Sequence, residues 1–573
     1  MKKIFFGIVI IVLFAAIGRN LLPLTHTMFT FHDMSQAGRI DEFTLNIKNL
    51  HIPPRLAPRW SEGMGYPVFN FYAPFAYWVS SLINLLGFST VDALKISFFA
   101  ALIIAFIGMF LFLGSVFNSL GALVGASLYA ASPYVATEIF VRGNLGEMWF
   151  MALLPLCFYL YNLNSQNNKK NIFVFTCIST FFLLTSHNIF SLIGSGLLFV
   201  HILLLNNKKK NFISLVLALL LSSYFILPAL FETSLTYARE TITQTFYGDH
   251  FLCITQIWTS PWGYGGSAKG CVEDGMSFMI GKFHILAGMA GLTLLIFQLC
   301  TTKRKDNKIM LTILFVFALG LISTFLTLYQ SEVVWKNLSF VLALFQFPWR
   351  FLMFTNFALS FFAGYFFSTT IFKKKYAYVV PIIFILICLL NYSKYFKGQT
   401  FDINLYNEKY LSNEYISKEI AYTIPDYLPK TVNLKEWLRL QPVSLTNDIN
   451  KSSNKSQKSL TGIPLDNGYI SIRQNNLFSK ELITNSSDLL LNLHYFPYWH
   501  IYINGKEYFP KNFDILGRPV ITGSGVKKIL IIYHQTPVEI AGNIITLLAC
   551  ITLFVIALPK KRKSVSHSES SLE

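Results

Sequence analysis

Long apolar runs recur along this chain, and short clusters of lysine stand between them. A helix needs roughly 20 apolar residues to cross the hydrocarbon core of a bilayer, and only helices and closed barrels keep their backbone polar groups satisfied while crossing. The clusters are Lys2 and Lys3, Lys169 and Lys170, Lys208 to Lys210, Lys303 and Lys305 around Arg304, Lys373 to Lys375, and Lys560 to Lys563. Spans placed at about 4–23, 93–113, 120–139, 145–163, 172–186, 189–205, 212–231, 283–299, 309–328, 351–372, 376–391 and 540–558 put every cluster on one side. The positive-inside bias makes that side the cytoplasm. The chain therefore reads as a polytopic α-helical membrane protein of about twelve spans, with both termini cytoplasmic. The first run is followed by Gly18-Arg19-Asn20 and lacks a small-x-small cleavage site, so it reads as an uncleaved anchor.

Hydrophobic residues make up 53% of the 573 and charged residues 13%, about half the charged share of an average soluble domain. Lys and Arg number 47 against 29 Asp and Glu, a net charge of +18. The cytoplasmic clusters account for the excess, so it is no argument for nucleic acid. No P-loop, GxGxxG after a strand, HExxH, CxxC pair or GxSxG elbow is present, which counts against nucleotide-dependent and soluble-hydrolase chemistry. Five of the seven cysteines fall in apolar runs and behave as small hydrophobes. Cys253 and Cys271 share one polar loop that the topology places outside, where a disulfide between them is expected.

The same topology leaves three extracytoplasmic segments. Residues 24–92 include an aromatic stretch, 72–88, too short for a comfortable span and rich in Tyr and Trp; it is expected to be an amphipathic helix on the membrane surface. Reading it as a span instead would invert everything before Lys169. Residues 232–280 form a second loop. Residues 393–536 have the composition of a soluble domain, with strands expected at 469–473, 489–495, 500–508 around an Asn504-Gly505 turn, and 526–534. A Ser/Asn/Lys-rich stretch, 447–459, reads as a loop. The expected organisation is a transmembrane domain over 1–392, a β-sandwich-like domain over 393–536, a last span at 537–558 and a cytoplasmic tail at 559–573.

Ionisable residues concentrate at the outer ends of the spans. His32, Asp33, Arg39, Asp41, Glu42, Arg55 and Arg59 lie in the first external segment. Glu138, Arg142 and Glu147 bracket the turn between the third and fourth spans, His187 tips the next hairpin, and Arg350 opens the tenth span. Taken singly, each is better explained as a solvated loop charge or a snorkelling side chain, and Glu138 with Arg142 as an i,i+4 pair. As a set on one membrane face they point to function. A carboxylate with several cations suits group transfer from a lipid-linked phosphate: the base takes a proton from an incoming hydroxyl, and guanidiniums hold the departing phosphate.

Several of these stretches resemble a known family. HDMSQAGRIDEF at 32–43, PPRLAPRWSEGMGYPVFNFYAPF at 53–75, SPY at 132–134, VRGNLGE at 141–147, SHN at 186–188, FQFPWRF at 345–351 and FPYWHIYINGK at 496–506 are similar to the bacterial 6-pyruvoyl-tetrahydropterin synthase-related, YfhO-like membrane proteins. More broadly the layout resembles the GT-C superfamily of membrane glycosyltransferases. The resemblance implies a GT-C-like helical core, a C-terminal external β-rich domain and a bacterial cytoplasmic membrane. It implies a polyprenyl-phosphate-linked sugar as donor and an envelope glycan, lipid or protein as acceptor. It places Asp33 at the catalytic acid's position, as general base or as ligand of a divalent Mg or Mn ion. Many such enzymes carry paired acidic residues in that loop, whereas His32 precedes Asp33 here. Glu147 is expected to act with Asp33, and His32, Arg39, Arg59, Arg142, His187 and Arg350 to bind substrate. Two other classes fit less well: a transporter or flippase of lipid-linked sugars, which calls for charges in mid-span, and a non-catalytic envelope scaffold.

Overall fold

The computed structural model describes residues 2–242, 245–301, 307–369, 378–439 and 461–559, with backbone alone at 2–5, 242 and 307–309. The lysines at 303, 305, 373–375 and 560–563, the side chains of Lys2 and Lys3, and the loop expected at 447–459 lie outside the described residues.

Every expected span meets a helix or a broken helix. The third is interrupted: Ser119–Ala131 ends at Ser132, Pro133–Thr137 restarts, and Glu138–Arg142 winds into a π-helical turn. The seventh is the pair Lys208–Leu221 and Ser223–Phe231, bent by 65° at the break. Among the described residues five helices are long and apolar enough to cross a bilayer, or six if the bent pair is one span; Lys170–Leu184, Asn188–Leu204 and others are shorter. The aromatic stretch expected at 72–88 narrows to the helix Phe75–Leu85, whose 11 residues rise only about 16 Å. That is half a hydrocarbon core, which argues against its being a span. One face of it, including Tyr77, Ser80 and Ser81, is buried, while Leu82, Leu85 and Leu86 are exposed.

Close helix crossings depend on glycine. A Cβ on Gly121 would lie 2.3 Å from the carbonyl oxygen of Gly364, so Ser119–Ala131 and Leu352–Ser368 can meet only without side chains at that point.

After Val379–Tyr392, the helix at the eleventh expected span, the chain turns to short helices and then to β structure. A five-stranded antiparallel sheet runs in the order Ile470–Asn475, Ser479–Thr484, Lys527–Tyr533, Trp499–Ile503, Lys506–Tyr508; a second sheet joins Gly462–Pro464, Asp488–Leu491 and Val520–Thr522. The Asn504-Gly505 turn has φ of 50° and 81°, the paired left-handed residues of a type I′ hairpin. Strands at 462–464, 479–484 and 520–522 were not expected. Another unexpected ribbon, Thr27–Thr30 against Gln399–Asp402, ties the start of the first external segment to the start of the C-terminal region.

Candidate functional site

Asp33 is delivered to its place by the backbone. Past the Thr27–Thr30 strand, the amides of His32 and Asp33 donate to the carbonyls of Val141 and Arg142 at 2.9 and 3.2 Å. The acceptors lie in the π-helical turn, a conformation often found at functional sites. Gly143 closes that turn at φ 64°, and a Cβ there would meet the Phe31 ring at 2.1 Å. Only glycine allows the close approach of the two segments.

The Asp33 carboxylate accepts from the Ser35 hydroxyl on Oδ1, and on Oδ2 from Gln36 Nε2 at 2.9 Å and Arg39 Nη1 at 2.8 Å. Gln36 and Arg39 open the helix Gln36–Lys48, so one helical turn presents both donors to a residue just before it. Gln36 is fixed in turn by the Gly143 carbonyl at 3.1 Å and by the Tyr77 hydroxyl, which donates to its Oε1 at 2.8 Å. The Arg39 guanidinium sits 4.2 Å from the centroid of the Tyr72 ring. Its side chain is 3% exposed against 28% for Asp33. The anion thus faces outward and the cation lies behind it.

A second cluster is centred on Glu147, in the first turn of Leu145–Gln166 and fully buried. Both its oxygens meet Arg142 at 2.8 Å in a bidentate pair, Arg350 Nε lies 3.1 Å from Oε1, Asn144 Nδ2 donates at 2.7 Å, and His187 Nε2 is 3.8 Å away. Arg142 also bonds Glu138, the i,i+4 pair expected from sequence, and stacks 4.4 Å from the Trp349 ring centroid. Arg350 donates from Nη1 to the Phe345 carbonyl at 3.0 Å; its buried Nε, though 3.1 Å from Glu147 Oε1, makes an ion pair without an aligned hydrogen bond. His187 caps the helix Asn188–Leu204, its Nδ1 accepting from the Phe190 amide at 3.3 Å. Burial holds this imidazole far below its ordinary pKa, at about 4, so it is neutral at physiological pH.

The structure therefore brings together Asp33 with Arg39, and Glu147 with Arg142, Arg350 and His187, and joins the two groups through the Asp33 amide on Arg142. His32 is exposed, its Nε2 3.1 Å from the Tyr264 carbonyl of the disulfide loop. Arg59 goes elsewhere: its charged contacts are to Asp41 and Glu42, with the Glu42 carboxylate also taking its backbone amide at 3.2 Å. Asp41 and Glu42 are correspondingly not loop charges. Both lie on Gln36–Lys48, and Glu42 is fully buried, which pushes its carboxyl up to about 7 despite Arg59. Cys253 and Cys271 are disulfide-bonded. Sequence reasoning passed over Gln36, Tyr72, Tyr77, Asn144 and Trp349; only the spacing of Gln36 and Arg39 at the start of a helix was available as a signal.

Among the described residues no three His, Cys, Asp or Glu side chains cluster as a metal site. The donor set around Asp33 also fits a divalent ion poorly, since Arg39, Gln36 and Ser35 all donate to its oxygens and no second carboxylate shares them.

Residues 69–258 match the 6-pyruvoyl-tetrahydropterin synthase related domain, a membrane protein family. The resemblance read from the sequence holds over that third of the chain, which carries Arg142, Glu147 and His187 and leaves Asp33 and Arg350 outside. No curated protein matches this chain. Among solved structures, the chain is similar to a cryo-EM structure of arabinofuranosyltransferase AftD from Mycobacteria, with TM-score 0.43 and 13% identity over 70% of this chain and 28% of that one. A mutant of the same protein gives TM-score 0.41 and 12% identity over 69% of this chain and 28% of that one. The chain thus covers 28% of the length of each.

Proposed function

We propose that this membrane protein is an inverting glycosyltransferase of the bacterial cytoplasmic membrane, which moves a sugar from a polyprenyl-phosphate donor to an envelope glycan, lipid or protein on the extracytoplasmic face. One observation carries the reading: Asp33 is a partly exposed carboxylate, oriented by three donors and backed by a buried guanidinium. Asp33 is the general base. It takes the proton of the acceptor hydroxyl as that oxygen bonds to the sugar's anomeric carbon. The bond from that carbon to the phosphate breaks, and the phosphate leaves with the electron pair. Arg350, whose guanidinium carries more donors than its contacts to Glu147 and Phe345 use, reads the phosphate. Glu147 is a positioning residue: buried between Arg142 and Arg350, it sets the direction of both. Arg142 commits most of its donors to Glu138 and Glu147, so it contributes field more than direct contact. Arg59 is assigned to holding the Gln36–Lys48 helix. His187 serves as a neutral cap beside Glu147.

The test uses full-length protein in nanodiscs with a panel of polyprenyl-phosphate sugars. Asp33→Asn is expected to lower transfer at least ~100-fold, the scale of a general base, measured on a variant shown to be folded and monodisperse, since it also removes the charge partner of the buried Arg39. Full transfer by Asp33→Asn would overturn the assignment.

A further inference from the structure

The Cys253–Cys271 loop reaches the site through its far arm. Residues 263–276 form a tight hairpin in which Tyr264 bridges to Met276 and the Gly265 amide donates to the Gly275 carbonyl at 2.8 Å. A Cβ on Gly263 would lie 2.2 Å from that same oxygen, so the two arms pack backbone to backbone. Asp274 clamps the turn, accepting from the Ala268 amide at 2.8 Å and from Gln256, and the Gly270 amide donates to the Tyr329 hydroxyl at 2.9 Å. The disulfide closes the base. A loop so braced holds what it carries in fixed positions.

What it carries is aromatic. Trp262 is tilted 36° against Tyr395 with centroids 4.9 Å apart, and Tyr264 stands edge-on to Trp262 at 6.1 Å. All three rings are half-buried. Tyr264 is pinned from two other elements: its hydroxyl donates to the Lys397 carbonyl at 3.0 Å, and its own carbonyl faces His32, the neighbour of Asp33. The Trp262 indole N–H is a buried donor with no partner among the described residues. Rings with a polar handle, rigidly held next to a reactive carboxylate, make a surface for a ligand with an apolar face and hydroxyl edges. A sugar ring has that character.

We infer that Trp262, Tyr264 and Tyr395 form the platform on which a sugar residue of the acceptor stacks, one backbone contact away from Asp33. The inference rests on the glycosyltransferase reading for its orientation and adds to it that the acceptor is a glycan, recognised by ring stacking. An aromatic belt at the lipid interface is the rival use of such residues.

Full-length protein in detergent is screened on a glycan array, and the best free oligosaccharide is titrated by calorimetry. Trp262→Ala is expected to weaken binding about tenfold, the upper end for one aromatic contact, and Trp262→Phe to stay within about threefold. Tyr395→Leu is measured alongside, with Tm and monodispersity confirming that each variant folds. No glycan binding by wild type, or wild-type affinity in both folded Trp262→Ala and Tyr395→Leu, overturns the inference. So does a Trp262→Ala variant that only loses retained lipid or Tm. Asp33→Asn separates the two readings: glycan binding kept with transfer lost supports both, whereas glycan binding and transfer both kept sinks the mechanism and leaves the platform standing.

Discussion

Replacing Glu147 by Gln keeps the shape of the side chain and removes the charge on which two guanidiniums converge. The carboxylate is fully buried, while the Arg142 and Arg350 side chains are 7% and 11% exposed. At an effective dielectric near 20, opposite charges about 4 Å apart attract by about 4 kcal/mol, so the two pairs hold roughly 8 kcal/mol of gross attraction. Desolvation of the ions offsets several kcal/mol of this, and removing one member of a buried pair has a net cost of about 3–5 kcal/mol. The substituted amide would also point an N–H at Arg142 or Arg350. In a chain of this size each kcal/mol moves Tm by about 2 °C, which predicts a fall of roughly 6–10 °C. The assay is thermal unfolding of purified protein in one detergent, run as a cycle with Arg350→Gln and the double variant. Because Arg350 leans on the same carboxylate, the double variant should be less destabilised than the sum of the singles, by about 0.5–3 kcal/mol. A Glu147→Gln protein with Tm within about 2 °C of wild type would refute the view that this carboxylate holds the cluster together.

Acid should weaken the fold through His187. Its folded pKa of about 4 lies below the unfolded value of 6.5, so its contribution is complete above 6.5 and declines as pH falls toward 4, by up to about 3 kcal/mol; unfolding followed from pH 7 to 4 should show this, and His187→Gln should flatten it. Arg59→Gln should lower stability at neutral pH only modestly, by about 1 kcal/mol, because the Glu42 carboxyl, already pushed up to about 7, protonates once its cation is gone, while leaving the donor KM unchanged; a raised donor KM would return Arg59 to the substrate site. Reducing Cys253–Cys271, which spans 18 residues, should lower stability by about 3 kcal/mol on the chain-entropy account, read as a Tm shift with and without reductant. Gly143→Ala puts a Cβ 2.1 Å from the Phe31 ring at a left-handed position and should cut sugar transfer by separating Asp33 from the Arg142 carbonyl, with normal activity in a folded variant counting against that contact.

The helical frame was readable because bilayer crossing imposes one rule on many residues at once: run length and lysine position converge on the same segments, and helices follow at each. The interruptions were not, since Ser132, the π turn and the bend at Ser222 depend on which neighbour accepts the freed carbonyls, a tertiary matter. Short strands such as Gly462–Pro464 are paired to partners distant in sequence, and alternation over three residues is no signal. At the site, the residue types were legible and their pairing was not. Arg39 and Arg59 lie in the same segment as Asp33, and residue type does not say which of them pairs with it. One faces it from the first turn of a helix, and the other is drawn to Asp41 and Glu42 further along that helix.

That division explains how two neighbouring acidic residues can be given opposite environments. Glu147 is enclosed, with guanidiniums against it and no exposed surface, so an approaching hydroxyl cannot reach it, and its protonation would remove the charge partner of two guanidiniums. Asp33 is held by donors belonging to its own turn and the helix that follows, and its side chain stays 28% exposed. Charge alone does not separate them. Enclosure does, and it follows from the backbone pairing of residues 32 and 33 with 141 and 142, which sets the exposed acid beside the buried one. On the proposed reading, a base that takes a proton from a bulky sugar needs the accessible position, and an Arg350 that reads phosphate needs a fixed anion behind it. Exchanging the two environments would leave a base no acceptor can reach.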